Sequence, residues 1–195
     1  MFDLILNVLE RLGLFGVFLL MLAENIVPPI PSELVIPLAG FLAARGAFSF
    51  VLMVIAGAIG ATLGALIWYE IGRGLGEARL TRFIARYGHW LTLSQEDVGR
   101  VTRWFRRHGA LAVLFGRMVP GLRTFISIPA GLAGMPRGLF LLCTFTGSLT
   151  WTALLGAGGF ILKSQYARIE HWLNPVTNVV LLVLVAVYVW RSVRR

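Results

Sequence analysis

Charge-free runs alternate along this chain with segments in which prolines and isolated charges break the apolar pattern. Phe50 to Tyr69 carries no charge over 20 residues, Gly138 to Leu162 none over 25, and Pro175 to Trp190 none over 16. An α-helix needs about 20 apolar residues to span a bilayer. The pattern therefore predicts two full membrane helices and a third of marginal length. Residues 14–44 and 110–136 are equally apolar but are interrupted by Pro28, Pro29, Pro31 and Pro37 in the first and by Pro120 and Pro129 in the second. Each arm of 110–136 offers roughly ten apolar residues, about half a crossing. These segments are expected to enter the membrane and return on the same face, as re-entrant hairpins. The alternative is that each arm spans the bilayer.

The two interrupted segments repeat each other. Val27-Pro28 recurs as Val119-Pro120, Pro37 as Pro129 and Phe48 as Phe140, all at an offset of 92. Ile36-Pro-Leu-Ala-Gly40 is similar to Ile128-Pro-Ala-Gly131, and each unit runs on into a long Gly- and Ala-rich helix. A Pro-interrupted hydrophobic segment at corresponding positions of two halves points to a transporter binding site. The expected fold is an all-α integral membrane protein with two inverted repeats, each a re-entrant hairpin followed by a transmembrane helix. Amphipathic surface helices and a C-terminal transmembrane helix complete it. As one membrane domain it divides into an N-terminal interfacial helix at 1–12, repeat 1 at 14–69, a basic amphipathic loop at 72–108, repeat 2 at 110–162 and a last helix at 174–191. The start, Met1-Phe2-Asp3-Leu4, lacks a positive n-region and is expected to be retained as structure.

Composition agrees: 57% of the 195 residues are hydrophobic and only 14% charged, more apolar surface than a soluble domain of this size hides. The net charge of +9 is placed unevenly. Eight arginines from Arg73 to Arg107 crowd the loop against Glu77, Glu96 and Asp97, and the tail ends Arg191-Ser-Val-Arg-Arg195. Both read as cytoplasmic by the positive-inside rule, which makes anionic lipid headgroups, not nucleic acid, the partner of this surface. In the loop, Leu80, Phe83, Ile84 and Tyr87, then Val98, Val101 and Phe105, recur at helical spacing. Two surface helices are expected, the second capped by Ser94 and ended by Gly109.

Four charges lie inside otherwise apolar segments: Glu24, Glu33, Arg117 and Arg123. An ionisable residue at membrane depth marks a functional site by default. Residues 109–162 contain no acid, so the two arginines must find partners in the first hairpin, in water or in a bound anion. Pro28, Pro29 and Pro31 separate the glutamates and Pro120 separates the arginines, so helix is broken beside each charge and the tips are expected to meet around a polar pocket. Arginine forks suit a phosphate or carboxylate, and glutamates there can couple proton occupancy to conformation. The competing reading is a pair of internal salt bridges that only hold the hairpins together. Arg45, Arg137 and Glu70 stand at segment ends and read as interfacial anchors. Cys143 reads as packing, His89 and His108 have no metal-ligand spacing, and no cofactor, metal set or catalytic constellation is expected. A single chain and a homodimer both fit the pattern.

These motifs resemble those of the DedA family, also called SNARE-associated or VTT-domain proteins. The resemblance covers nearly the whole chain and rests on Glu24-Asn-Ile-Val-Pro-Pro-Ile-Pro-Ser-Glu33 with Pro37-Leu-Ala-Gly40, and on Gly116-Arg-Met-Val-Pro-Gly-Leu-Arg123 with Pro129-Ala-Gly-Leu-Ala-Gly-Met135. It implies facing re-entrant hairpins and lipid movement in the bacterial cytoplasmic membrane. Undecaprenyl phosphate is the implied cargo, phospholipid such as phosphatidylethanolamine the alternative, and proton-motive force the implied drive. It maps the functional acids to Glu24 and Glu33 and the functional arginines to Arg117 and Arg123. Some members carry Asp at the second acid, where Glu33 is one methylene longer. A lipid-phosphate enzyme and an envelope scaffold are the other classes.

Overall fold

The computed structural model describes residues 2–26, 32–91, 95–120 and 122–161, and every regular element among them is helical. Pro28, Pro29, Pro31, Ser94 and the expected helix at 174–191 lie outside the described residues. In chain order the elements are α1 (Phe2–Ile26), α2 (Ser32–Ala44), α3 (Phe50–Leu91), α4 (Gln95–Gly116), α5 (Leu122–Phe125), α6 (Ser127–Leu132) and α7 (Arg137–Ile161). Three stretches are long and apolar enough to cross a membrane: Leu4–Ile26, Phe50–Gly76 and Arg137–Ile161. α1 is not straight, because Gly13 adopts φ +56° and ψ −129°, a conformation that glycine reaches without steric cost. Gly76 likewise breaks α3 (φ +64°, ψ +159°), separating the membrane part from the basic segment that follows.

α3 shows how the sequence builds a membrane helix with two apolar faces. Val51, Ile55, Ile59, Leu63, Ile67, Ile71 and Leu75 recur every fourth residue and are exposed, as a lipid-facing stripe must be. The opposite face carries Gly57, Ala58, Gly60, Ala61, Gly64 and Ala65, all buried. Small residues there let neighbouring backbones come close: α1 lies on α3 with Phe18 O against Gly60 and Leu22 O against Gly64.

Four close crossings of this kind tie the molecule together. α1 packs on α3 and α4 on α7, each the first arm of a unit against that unit's long helix. α2 and α6, the return arms, cross to the other unit's long helix. Gly40 of α2 meets Gly156 O of α7, and Gly131 of α6 meets Tyr69 O of α3. Two apolar clusters result. One joins Ile5, Leu9, Met21, Ile36, Leu38 and Met53, and the other joins Tyr69, Val113, Ile126, Ala130, Met135 and Phe140.

One expected boundary moves. Gly109 does not end the second surface helix; α4 runs through it to Gly116. Gly109 keeps a negative φ and is buried beside Phe105, and the Ala110 to Phe115 segment that follows has no residue to break a helix. The same helix thus carries a surface segment and the arm that ends at Arg117.

Candidate functional site

The ends of α1 and α4 meet, and three of the four sequence-predicted charges meet with them. Glu24 and Asn25 occupy the last turn of α1, Arg117 follows α4 directly, and Arg123 and Ser127 come from α5 and α6. Glu24 is 5% exposed, Arg117 2% and Arg123 5%, so all three charges are withdrawn from solvent. Pro120 is exposed in the turn between α4 and α5. It contributes no N–H, and the chain leaves helical geometry there before Arg123. Glu33 is half-buried in the first turn of α2 and makes no ion pair among the described residues. Pro37, one turn later, deprives the Glu33 carbonyl of its helical donor.

The two arginines differ in what they face. Arg123 Nη2 forms an ion pair with Glu24 Oε1. Among the described residues Arg117 has neutral acceptors alone: Nη1 donates to Asn25 Oδ1 at 3.1 Å and Nη2 to Ser127 Oγ at 2.7 Å. Among the described residues its Nε is buried without a hydrogen-bond partner, and so is the second carboxylate oxygen of Glu24. Bonds from a charged donor contribute about 1.5–3 kcal/mol each, which offsets much of the several kcal/mol lost on desolvating a guanidinium. The positive charge itself stays uncancelled by these two bonds.

Asn25 is fixed on both sides. Its Nδ2 donates to Met21 O at 3.2 Å, and Trp68 Nε1 donates to the Asn25 carbonyl at 2.7 Å. Beneath the arginine, Gly147 of α7 makes room: a Cβ there would lie 2.8 Å from Arg117 Cβ and from Leu114 O. Asn25 and Ser127 are polar neighbours of the charges that charge-based reading passes over. The repeat offset does reach Asn25, which stands 92 residues before Arg117.

A second polar cluster lies at the junction of α3 and α7. Arg137 Nε and Nη2 donate to Glu70 Oε1 and Oε2 at 2.6 and 2.9 Å, a bidentate pair on exposed side chains. Arg73 Nη1 donates to the Tyr69 hydroxyl at 2.9 Å, and that hydroxyl donates to Met135 O. Arg137 and Glu70 are thus partners of one another. Arg45, in contrast, lies over the ring of its own neighbour Phe41.

Apolar helices with lipid-facing stripes around a buried cluster of two arginines, one acid and two neutral acceptors define a polytopic membrane protein with a charged interior. The VTT domain family model matches residues 30–161, and the chain belongs to this family. Similar proteins include undecaprenyl phosphate transporter A of Staphylococcus aureus, 31% identical over 98% of this chain and 95% of that protein. An alkaline phosphatase-like protein of Lactococcus lactis is 37% identical over 96% and 88%. Inner membrane protein YqjA of Escherichia coli is 29% identical over 76% and 66%. No solved structure matches.

Proposed function

We propose that the chain carries an anionic lipid across the bacterial cytoplasmic membrane, with a polyprenyl phosphate, undecaprenyl phosphate foremost, as cargo. The observation that carries this reading is the buried Arg117, held by two neutral acceptors beside an Arg123 that shares one carboxylate. A site with two guanidinium forks and one acid is complementary to a phosphate. The Staphylococcus aureus relative and a Bacillus subtilis relative, 32% identical over 94% of this chain, are both named undecaprenyl phosphate transporter A.

In this reading the 14–44 and 110–136 segments are re-entrant hairpins entering from opposite faces, so that the units are inverted repeats and the C-terminus is cytoplasmic. One arm supports it by length: α2, with 13 residues, reaches about 20 Å at 1.5 Å per residue, short of the ~30 Å core. Glu24 exchanges partners during the cycle. A phosphate arriving at Arg117 competes for Arg123, and the carboxylate it displaces takes up a proton, since a buried and unpaired carboxylate favours its neutral form. Glu33 receives or relays that proton. Transport is the role assigned, on the two guanidinium forks of the cluster and on the relatives named undecaprenyl phosphate transporter A.

The experiment is reconstitution in vesicles carrying labelled undecaprenyl phosphate, with transbilayer movement followed with and without a pH gradient. Movement that requires Arg123 and responds to the gradient is the expected outcome. Phosphatidylethanolamine or phosphatidylglycerol moving in its place would assign a phospholipid flippase or scramblase. The ion pair between Glu24 and Arg123 favours one competing reading, a purely structural tie; absence of movement for all three lipids would establish it.

A further inference from the structure

Asn25 and Arg117 fill the same niche, built twice. They stand 92 residues apart, the offset at which the two units repeat, and they hydrogen-bond to each other. Under Asn25 lies Gly64 of α3, where a Cβ would sit 2.6 Å from Asn25 Cβ and 2.8 Å from Leu22 O. Under Arg117 lies Gly147 of α7, where a Cβ would sit 2.8 Å from Arg117 Cβ and 2.8 Å from Leu114 O. Leu22 and Leu114 are again 92 apart. One unit places a neutral amide in this niche and the other a guanidinium.

From this we infer that Asn25 is the residue that makes the site selective for an anion: it positions Arg117 through a neutral acceptor and so leaves the positive charge available to a phosphate headgroup. The inference rests on the reading of Arg117 and Arg123 as the headgroup site. Asn25 is suited to the task because it is itself immobilised, by Met21 O and by Trp68. Its amide oxygen orients one arm of the fork while Arg117 Nε remains without a partner. The acid next to it in sequence, Glu24, turns to Arg123 instead. The described cluster of Arg117, Arg123 and Glu24 therefore carries one net positive charge, and that excess sits on Arg117. A carboxylate in place of the Asn25 amide has the same size and would remove it.

The test compares wild type, Asn25→Asp, Asn25→Ala and the double variant Asn25→Asp/Glu24→Gln in vesicles, reading binding of labelled undecaprenyl phosphate beside the thermal midpoint. Asn25→Asp is expected to weaken binding roughly tenfold or more while the midpoint stays at or above wild type, because an internal ion pair replaces the anion. Asn25→Ala keeps the charge balance and should bind within about threefold of wild type with slower movement. The double variant returns the net charge to its original value and should restore binding to within about threefold. Wild-type binding that Asn25→Asp leaves unchanged would overturn the inference. So would movement by a folded Asn25→Ala as fast as wild type, which would show that Arg117 needs no positioning by Asn25. Wild type that binds no undecaprenyl phosphate would instead remove the transport reading, and the inference with it.

Discussion

Arg117 and Arg123 look alike in the sequence, two arginines flanking Pro120, yet their burial has opposite consequences. Arg123 neutralises Glu24, so Arg123→Ala strands a carboxylate that is 5% exposed. Breaking one side of a buried pair costs about 3–5 kcal/mol. Among the described residues Arg117→Ala strands Asn25 Oδ1 and Ser127 Oγ, and unsatisfied neutral groups cost about 1–3 kcal/mol each, against which removal of a cation that no described acid pairs with is a gain. Thermal unfolding in detergent should therefore rank Arg123→Ala well below Arg117→Ala, and Glu24→Gln/Arg123→Gln should recover most of the loss. Equal midpoints for the two alanine variants would contradict this assignment of charges. The four charges within apolar segments were legible because each stands alone in an apolar run. Ser127 was not, because a neutral polar residue among apolar ones is ordinary, and Asn25 was marked only by its place 92 residues before Arg117, with the hydrogen bond showing what it holds.

The helices repeat the lesson with backbone in place of charge. Apolar runs announced α3 and α7, but not that α4 continues through Gly109, since a glycine between a basic segment and an apolar one reads equally as an end or a joint. Which glycines matter is likewise a property of the contact. Gly147→Ala brings a methyl to 2.8 Å from Arg117 Cβ, and overpacking of this kind costs about 1–3 kcal/mol. Gly158 on the same helix faces open space, so Gly158→Ala should be neutral or stabilise by up to about 1 kcal/mol through helix propensity. Measured together, only Gly147→Ala should disturb lipid movement. α7 also separates two kinds of threonine. Exposed Thr146 and Thr150 donate to Leu142 O and Thr146 O, one turn back, at 2.8 and 2.9 Å. Buried Thr152 has no partner for its hydroxyl among the described residues. Thr152→Val keeps the shape and removes an unsatisfied group, so the midpoint should rise, by about 2–4 °C per kcal/mol for a chain of this size. A fall would mean that the hydroxyl has a partner in the membrane-embedded protein.

At the scale of the whole molecule, the arrangement to explain is that each return arm rests on the other unit's long helix. The repeat at offset 92 suggested two like units, but not this exchange, because helix-to-helix contacts between small residues leave no directional mark in a sequence. The exchange makes the orientation of the hairpins testable at three positions in a Cys143→Ala background, Cys143 being the single cysteine of the chain. Ala47 lies in the exposed connection from α2 to α3, Gly138 is exposed in the first turn of α7, and Val119 is exposed at the tip between α4 and α5. If the hairpins enter from opposite faces, an impermeant maleimide added to intact cells should label Ala47→Cys, and should reach Gly138→Cys only after permeabilisation. The tip decides between re-entrant and spanning arms. A tip that stops within the bilayer leaves Val119→Cys resistant to a bulky reagent from outside, whereas arms that cross completely would deliver it to the outer surface and label it as readily as Ala47→Cys. Only the first result puts the end of α4, and with it Arg117, at a depth where a buried guanidinium is costly enough for a lipid phosphate to be its natural partner.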